Sequence, residues 1–142
     1  MPEENTEQNK EGKTSIFIID DDKFLLDMYS LKFRNAGLGV EVAFSSAEAM
    51  KRLKEGFAPH IILLDIIMPG MDGIELLKTI RTEKLSPQST IILLTNQADD
   101  ADKVQTLGID GFIIKAMNVP SEVVRQVLDI YKKRNKSTNN HE

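Results

Sequence analysis

Residues 16–26 read IFIIDDDKFLL. Four apolar residues fill a strand-length run, three consecutive aspartates end it, and apolar residues then resume. Like charges repel and carboxylates resist burial, so this junction marks the place where the chain leaves a buried strand. The same alternation recurs outward from it. IILL at 61–64, IILL at 91–94 and GFII at 111–114 are continuous apolar runs, and VEVAF at 40–44 is a weaker one. Continuous rather than alternating apolarity suits strands of a parallel sheet covered on both faces. The four strong runs are expected as such strands, and VEVAF as an edge.

The stretches between these runs show helical spacing, most cleanly at Val124, Val127, Leu128 and Tyr131 and at Ile74, Leu77 and Ile80. Helix punctuation accompanies them. Gly37 follows the first, Asp72 stands where an N-cap would for the third, Gly108 closes the fourth, and Pro120 suits the first turn of the fifth. Right-handed crossovers place the helices of successive βα units on both faces of a sheet. The expected class is therefore α/β: a flavodoxin-like, doubly wound (βα)5 sandwich with a central five-stranded parallel sheet.

A chain of 142 residues has room for one domain and one core. Residues 1–13 and 135–142 are polar, with almost no side chain to offset their ordering entropy by burial, so they are expected as disordered tails around a domain at 14–134. The net charge of -4 argues against a general nucleic-acid or anionic-membrane binder. With no cysteine, disulfides, thiol catalysis and thiolate metal sites are excluded. The first residues, MPEENTEQNKEGK, lack the apolar core of a secretory signal, and no apolar run approaches the ~20 residues of a membrane span. A cytoplasmic location is expected.

In an open parallel sheet, ligands bind beyond the carboxyl ends of the strands, near the point where strand order reverses. That rule gathers Asp20, Asp21 and Asp22 after the first strand, Asp65 after the third, Thr95 at the end of the fourth and Lys115 after the fifth. Carboxylates collected in one place become favourable when a hard cation neutralises them, and Mg²⁺ takes oxygen ligands while keeping several waters. An aspartate beside Mg²⁺, a lysine and a hydroxyl is equipped to accept a phosphoryl group. Asp65 is the candidate nucleophile. Each residue also has a plainer reading: a lone Asp after a strand is often a turn or cap residue, and Lys115 could be a surface lysine.

Taken in order, IIDDDKFLL, IILLDIIMPGMDG, IILLTN and GFIIK resemble the receiver domain of two-component response regulators, of the single-domain chemotaxis type, over roughly Lys13 to Arg134. The resemblance implies that Asp65 is the phospho-acceptor and Asp21 the main acidic Mg²⁺ ligand, with Asp20 acting largely through water and the Ile67 carbonyl as a further ligand. It implies that Thr95 binds the phosphoryl group, that Phe112 holds the position of a rotating aromatic, and that Lys115 pairs with phosphate. Asp22 falls outside the acidic pair and is assigned to the helix start.

Three positions depart from the usual pattern. Asn96 follows Thr95 where a small residue is common, which narrows access. Phe112 lacks the hydroxyl of the frequent Tyr. Ala116 follows Lys115 in place of a proline, which favours a trans bond, because a non-proline cis bond costs about 2.5–4 kcal/mol. His60 precedes a strand and His141 lies in a tail, so neither is expected to be catalytic.

The expected function is a stand-alone phospho-acceptor, loaded by a histidine kinase or phosphotransfer protein and read through the face built by the fourth helix, fifth strand and fifth helix. The fourth helix, with only Ala101, Val104 and Leu107 as its apolar stripe, should pack weakly. Only eight polar residues follow Arg134, so the output is expected to be a protein contact, with a downstream partner or with a second copy, rather than nucleic acid or membrane. No enzymatic turnover is expected beyond self-catalysed phosphotransfer and autodephosphorylation. One alternative is a receiver-like interaction module that is never phosphorylated. Another is a haloacid-dehalogenase-like phosphatase, which would need a second Asp where Ile67 stands.

Overall fold

The computed structural model describes residues 13–66, 73–96, 107–115 and 118–140, with side chains to 135. Five strands, β1 (Ser15–Ile19), β2 (Gly39–Ala43), β3 (Ile61–Asp65), β4 (Thr90–Thr95) and β5 (Gly111–Ile114), pair in the order β2-β1-β3-β4-β5. Every pairing is parallel. Four helices lie among the described residues: α1 (Lys23–Asn35), α2 (Ser46–Lys54), α3 (Gly73–Thr82) and α4 (Pro120–Asn140). The helix expected between β4 and β5, with Ala101 and Val104, lies outside the described residues, as do Ile67, Asp72, Ala116 and His141.

Alternate residues of each strand serve the two faces, as the twofold period of a strand requires. Phe17, Ile19, Ile62, Leu64, Ile91 and Leu93 pack under α2 and α3 through Met50, Leu53, Leu76, Leu77 and Ile80. Ile16, Ile18, Ile61, Leu63, Ile92 and Leu94 pack under α1 and α4 through Leu26, Phe33, Val123 and Val127. Two covered faces explain why these strands read as unbroken apolar runs, and the architecture is the flavodoxin-like α/β sandwich that the sequence predicts.

Local chemistry sets the helix ends. Asp22 is the N-cap of α1, accepting from the Leu25 N–H at 3.2 Å, as its helix-start assignment predicts. The helix closes at Ala36, and Gly37 takes φ of +96°, a conformation that glycine adopts without a Cβ penalty. Ser45 caps α2 by accepting from the Glu48 N–H at 3.1 Å.

Two further features of the fold were not read from the sequence. GFII forms the second edge of the sheet, and only Ile113 of its four residues is buried. An apolar run reports cover by helices above and below; it carries no information about a neighbour to the side. The helical backbone of α4 also runs on to Asn140, beyond Arg134. Adding residues to a helix already nucleated by docking demands far less than starting one, so polar residues can extend it.

Candidate functional site

The carboxyl ends of β1, β3, β4 and β5 meet at the switch in strand order between β1 and β3. Asp20 leaves β1 with its backbone tied sideways, its N–H donating to the Ala43 carbonyl at the end of β2 at 3.2 Å. Asp65 is the last residue of β3 and lies in register with Leu94, and the following Ile66 N–H donates to the Leu94 carbonyl at 3.1 Å. Thr95 ends β4 in register with Ile114, and Lys115 follows one residue later. Sheet register therefore brings together groups that are distant along the chain.

The carboxylates of Asp20, Asp21 and Asp65 each offer an oxygen within 4.8 Å of the others. Asp20 is wholly buried, Asp65 is 8% exposed, and Asp21 is exposed. Lys115 Nζ lies 3.1 Å from Asp20 Oδ2 and 3.5 Å from Asp65 Oδ2, bridging the two buried acids. Burial alone would push the Lys115 ammonium down, but the charges of Asp65 and Asp20 outweigh it and hold it above the ordinary lysine value. Together with Thr95 and Asn96 these residues wall an open cavity of about 270 Å³. Asn96, which is exposed, is among the residues that line it.

The donor set fits a small hard cation. All three side chains are carboxylates, with no nitrogen or sulfur ligand among them. Asp20 Oδ1 accepts from the Asp22 N–H at 3.0 Å, whereas buried Oδ2 accepts no hydrogen bond among the described residues. The Lys115 ammonium, 3.1 Å away, is the ionic partner of this oxygen, and a carboxylate oxygen with two lone pairs can accept from a lysine and still serve a metal ion.

The structure thus collects Asp20, Asp21, Asp65, Thr95 and Lys115 around one cavity. It does not bring Phe112 into that cavity: this half-buried side chain packs against the core under α2 and α3. Ile67 lies outside the described residues. Two further residues bear on the site. Tyr29 of α1 is buried, and its hydroxyl is raised above the usual tyrosine value by burial, with the Lys115 charge opposing. Its place in an amphipathic helix reads only as core. Gly73, the first residue of α3, donates its N–H to the Ile66 carbonyl, and a Cβ there would clash with the Asp65 carbonyl oxygen and stand 2.7 Å from Ile66 Cα. The final glycine of the MDG triplet was the available signal for that close approach.

The chain is similar to known proteins. The family profile described as response regulator receiver domain matches residues 16–127. The DNA-binding response regulator MtrA of Mycolicibacterium paratuberculosis is 32% identical over 114 residues, covering 79% of this chain and 48% of that protein. The transcriptional regulatory protein ResD of Bacillus subtilis is 34% identical over 119 residues, covering 82% of this chain and 47% of that protein. The chain therefore spans about half the length of these curated relatives. Among solved structures, a CheY-like response regulator receiver domain protein from Methanospirillum hungatei superposes with a TM-score of 0.77 at 25% identity, over 89% of this chain and 99% of that one. The chemotaxis protein CheY4 of Vibrio cholerae shares the fold, with a TM-score of 0.75 at 23% identity over 84% of this chain and 99% of that one. With the acidic cluster at its sheet edge and a profile match across most of its length, the chain belongs to the response regulator receiver domain family of two-component signalling.

Proposed function

We propose that this chain is a phosphorylation switch in which Asp65 accepts a phosphoryl group from a phosphohistidine on a kinase or phosphotransfer protein, with Mg²⁺ held by Asp20, Asp21, Asp65 and the Ile67 carbonyl. The observation that carries the reading is the placing of one nearly buried carboxylate, Asp65, beside two further carboxylates and 3.5 Å from a lysine ammonium. An Asp65 oxygen attacks phosphorus, the donor's P–N bond breaks, and the imidazole leaves with the bonding pair. Bound Mg²⁺ supplies neutralisation of the transferring phosphoryl oxygens. Lys115 holds Asp65 in place before transfer and pairs with a phosphoryl oxygen afterwards; the Thr95 hydroxyl donates to another.

Transfer adds roughly 1.5–2 negative charges at Asp65. Thr95 is drawn toward them, Phe112 moves into the space released, and the face that the sequence assigns to residues 97–106, β5 and α4 changes. A population shift of this kind is read only by a partner that prefers one state. The chain's net charge of -4 favours a protein partner, a downstream protein or a second copy, over nucleic acid. The cytoplasm is the proposed location, where a kinase partner would meet it; among the described residues no helix is long and apolar enough to cross a membrane. Turnover chemistry is disfavoured because Ile67 stands where a phosphatase of the aspartyl type would need a general acid.

Beryllofluoride, a phosphoryl mimic, tests the switch. With Mg²⁺ present it should shift the NMR signals of Thr95, Phe112 and residues 97–106. An unchanged spectrum would contradict the switch and support a module that is never phosphorylated.

A further inference from the structure

A second cavity, of about 650 Å³, lies at the opposite pole of the sheet, where β1, β2 and β3 begin. Its volume falls within the ~300–1,000 Å³ typical of small-molecule sites. Leu38, Val40 and Phe57 supply an apolar wall, and Lys13, Arg34 and His60 line it with cationic or donor groups. The wall is held firmly: Phe57 stacks edge to face on Phe17 at 5.0 Å, and the Arg52 guanidinium covers its ring at 4.4 Å.

The charge balance of this cavity differs from that of the whole chain. Among the described residues that line it the one carboxylate, Glu41, is engaged by Arg52 at 2.9 Å. Neither Lys13 nor Arg34 has a carboxylate at ion-pair distance among the described residues, so the described lining brings two positive charges together on a chain of net charge -4. His60 is fixed in the same wall. The Ser15 N–H donates to its Nδ1 at 3.0 Å and the Ser15 hydroxyl sits 3.0 Å from that nitrogen, so in the neutral ring the proton resides on Nε2 and a donor remains.

The cavity owes part of its space to Gly39. Its φ lies outside the left-handed region, so the backbone does not require glycine there, and a Cβ built on it would meet nothing within 4 Å. A residue that is free to carry a side chain instead leaves room at the start of an edge strand.

We propose that this cavity binds a small organic anion with an apolar body, its charged end held by Lys13 and Arg34 and its body laid on Leu38, Val40 and Phe57. The site shares no lining residue with the acidic cavity at the other pole, so it stands independently of phosphorylation. Amide NMR titration of the full chain with benzoate, neutral benzamide and inorganic phosphate tests it. Benzoate should give saturable shifts at Ser15, Gly39, Val40 and His60, with benzamide and phosphate each binding at least roughly fivefold more weakly, the scale of one partly exposed charge contact. Arg34→Ala should weaken benzoate by a similar factor. Gly39→Val should abolish the shifts while far-ultraviolet circular dichroism stays unchanged, because valine suits a strand. No saturable shift, equal binding of benzamide, or undiminished binding by both variants would overturn the proposal.

Discussion

Lys115 Nζ lies 3.5 Å from Asp65 Oδ2, although the two residues follow and end strands that β4 keeps apart. The lysine also reaches Asp20, so one ammonium serves two buried acids. Lys115→Met should leave both carboxylates without their cation. The expected loss of stability in metal-free protein is about 1–3 kcal/mol, since removing one partner of a buried pair strands the other. Urea unfolding of parent and variant measures it. Because a ligand of the folded state stabilises it by mass action, added Mg²⁺ should recover part of the loss.

The same contact sets a pH dependence. Lys115 and Tyr29 both hold their protons more tightly in the folded chain than at their ordinary values. Between the unfolded and folded values the folded state binds more protons, so stability must fall as pH rises. The contribution is complete below the ordinary tyrosine and lysine range and disappears through the raised folded values. Metal-free protein should therefore show a falling urea midpoint in strongly alkaline solution, and Tyr29→Phe should remove the tyrosine share of that fall.

Gly73 sets the position of the Asp65 backbone by lacking a side chain. A Cβ there would stand 2.7 Å from Ile66 Cα and 2.8 Å from its carbonyl oxygen, and backbone cannot swing aside as a long side chain can. Gly73→Ala should cost about 1–3 kcal/mol, the usual range for overpacking. Amide shifts at Asp65 and Ile66 beyond those at the other end of the sheet would show that the displacement is local to the site.

Asp22 and Asp21 are neighbours with different duties. Asp22 caps α1 through the Leu25 N–H, whereas Asp21 offers its carboxylate to the acidic cluster. Asp22→Ala should cost about 1 kcal/mol of stability and leave phosphoryl uptake intact. Asp21→Ala should spare the helix and depress Mg²⁺-dependent uptake. Paired unfolding and phosphorylation assays separate the two.

Much of the fold was legible because parallel strands between two helix layers must be apolar on both faces, as IFII and the two IILL runs are. The grouping of Asp20, Asp65, Thr95 and Lys115 followed from strand ends and one rule about where open sheets bind ligands. What escaped was lateral or tertiary. The edge position of GFII could not be read from its letters, which carry no information about a neighbour to the side. The bond between Ser15 and His60 joins residues 45 apart, and nothing local in either segment announces it. Tyr29 stayed hidden as an ordinary core position, since the charges that act on it come from the ends of three strands, β1, β3 and β5. The run of α4 past Arg134 reflects docking upstream rather than the composition of the extension itself.

Phosphoryl uptake by one carboxylate is the centre of the account, and intact-mass measurement after treatment with acetyl phosphate and Mg²⁺ tests it most directly. The parent chain should gain the mass of a single phosphoryl group, the Asp65→Asn variant none, and the parent without Mg²⁺ far less. A parent that gains no mass, or a variant that gains as much as the parent, would contradict it.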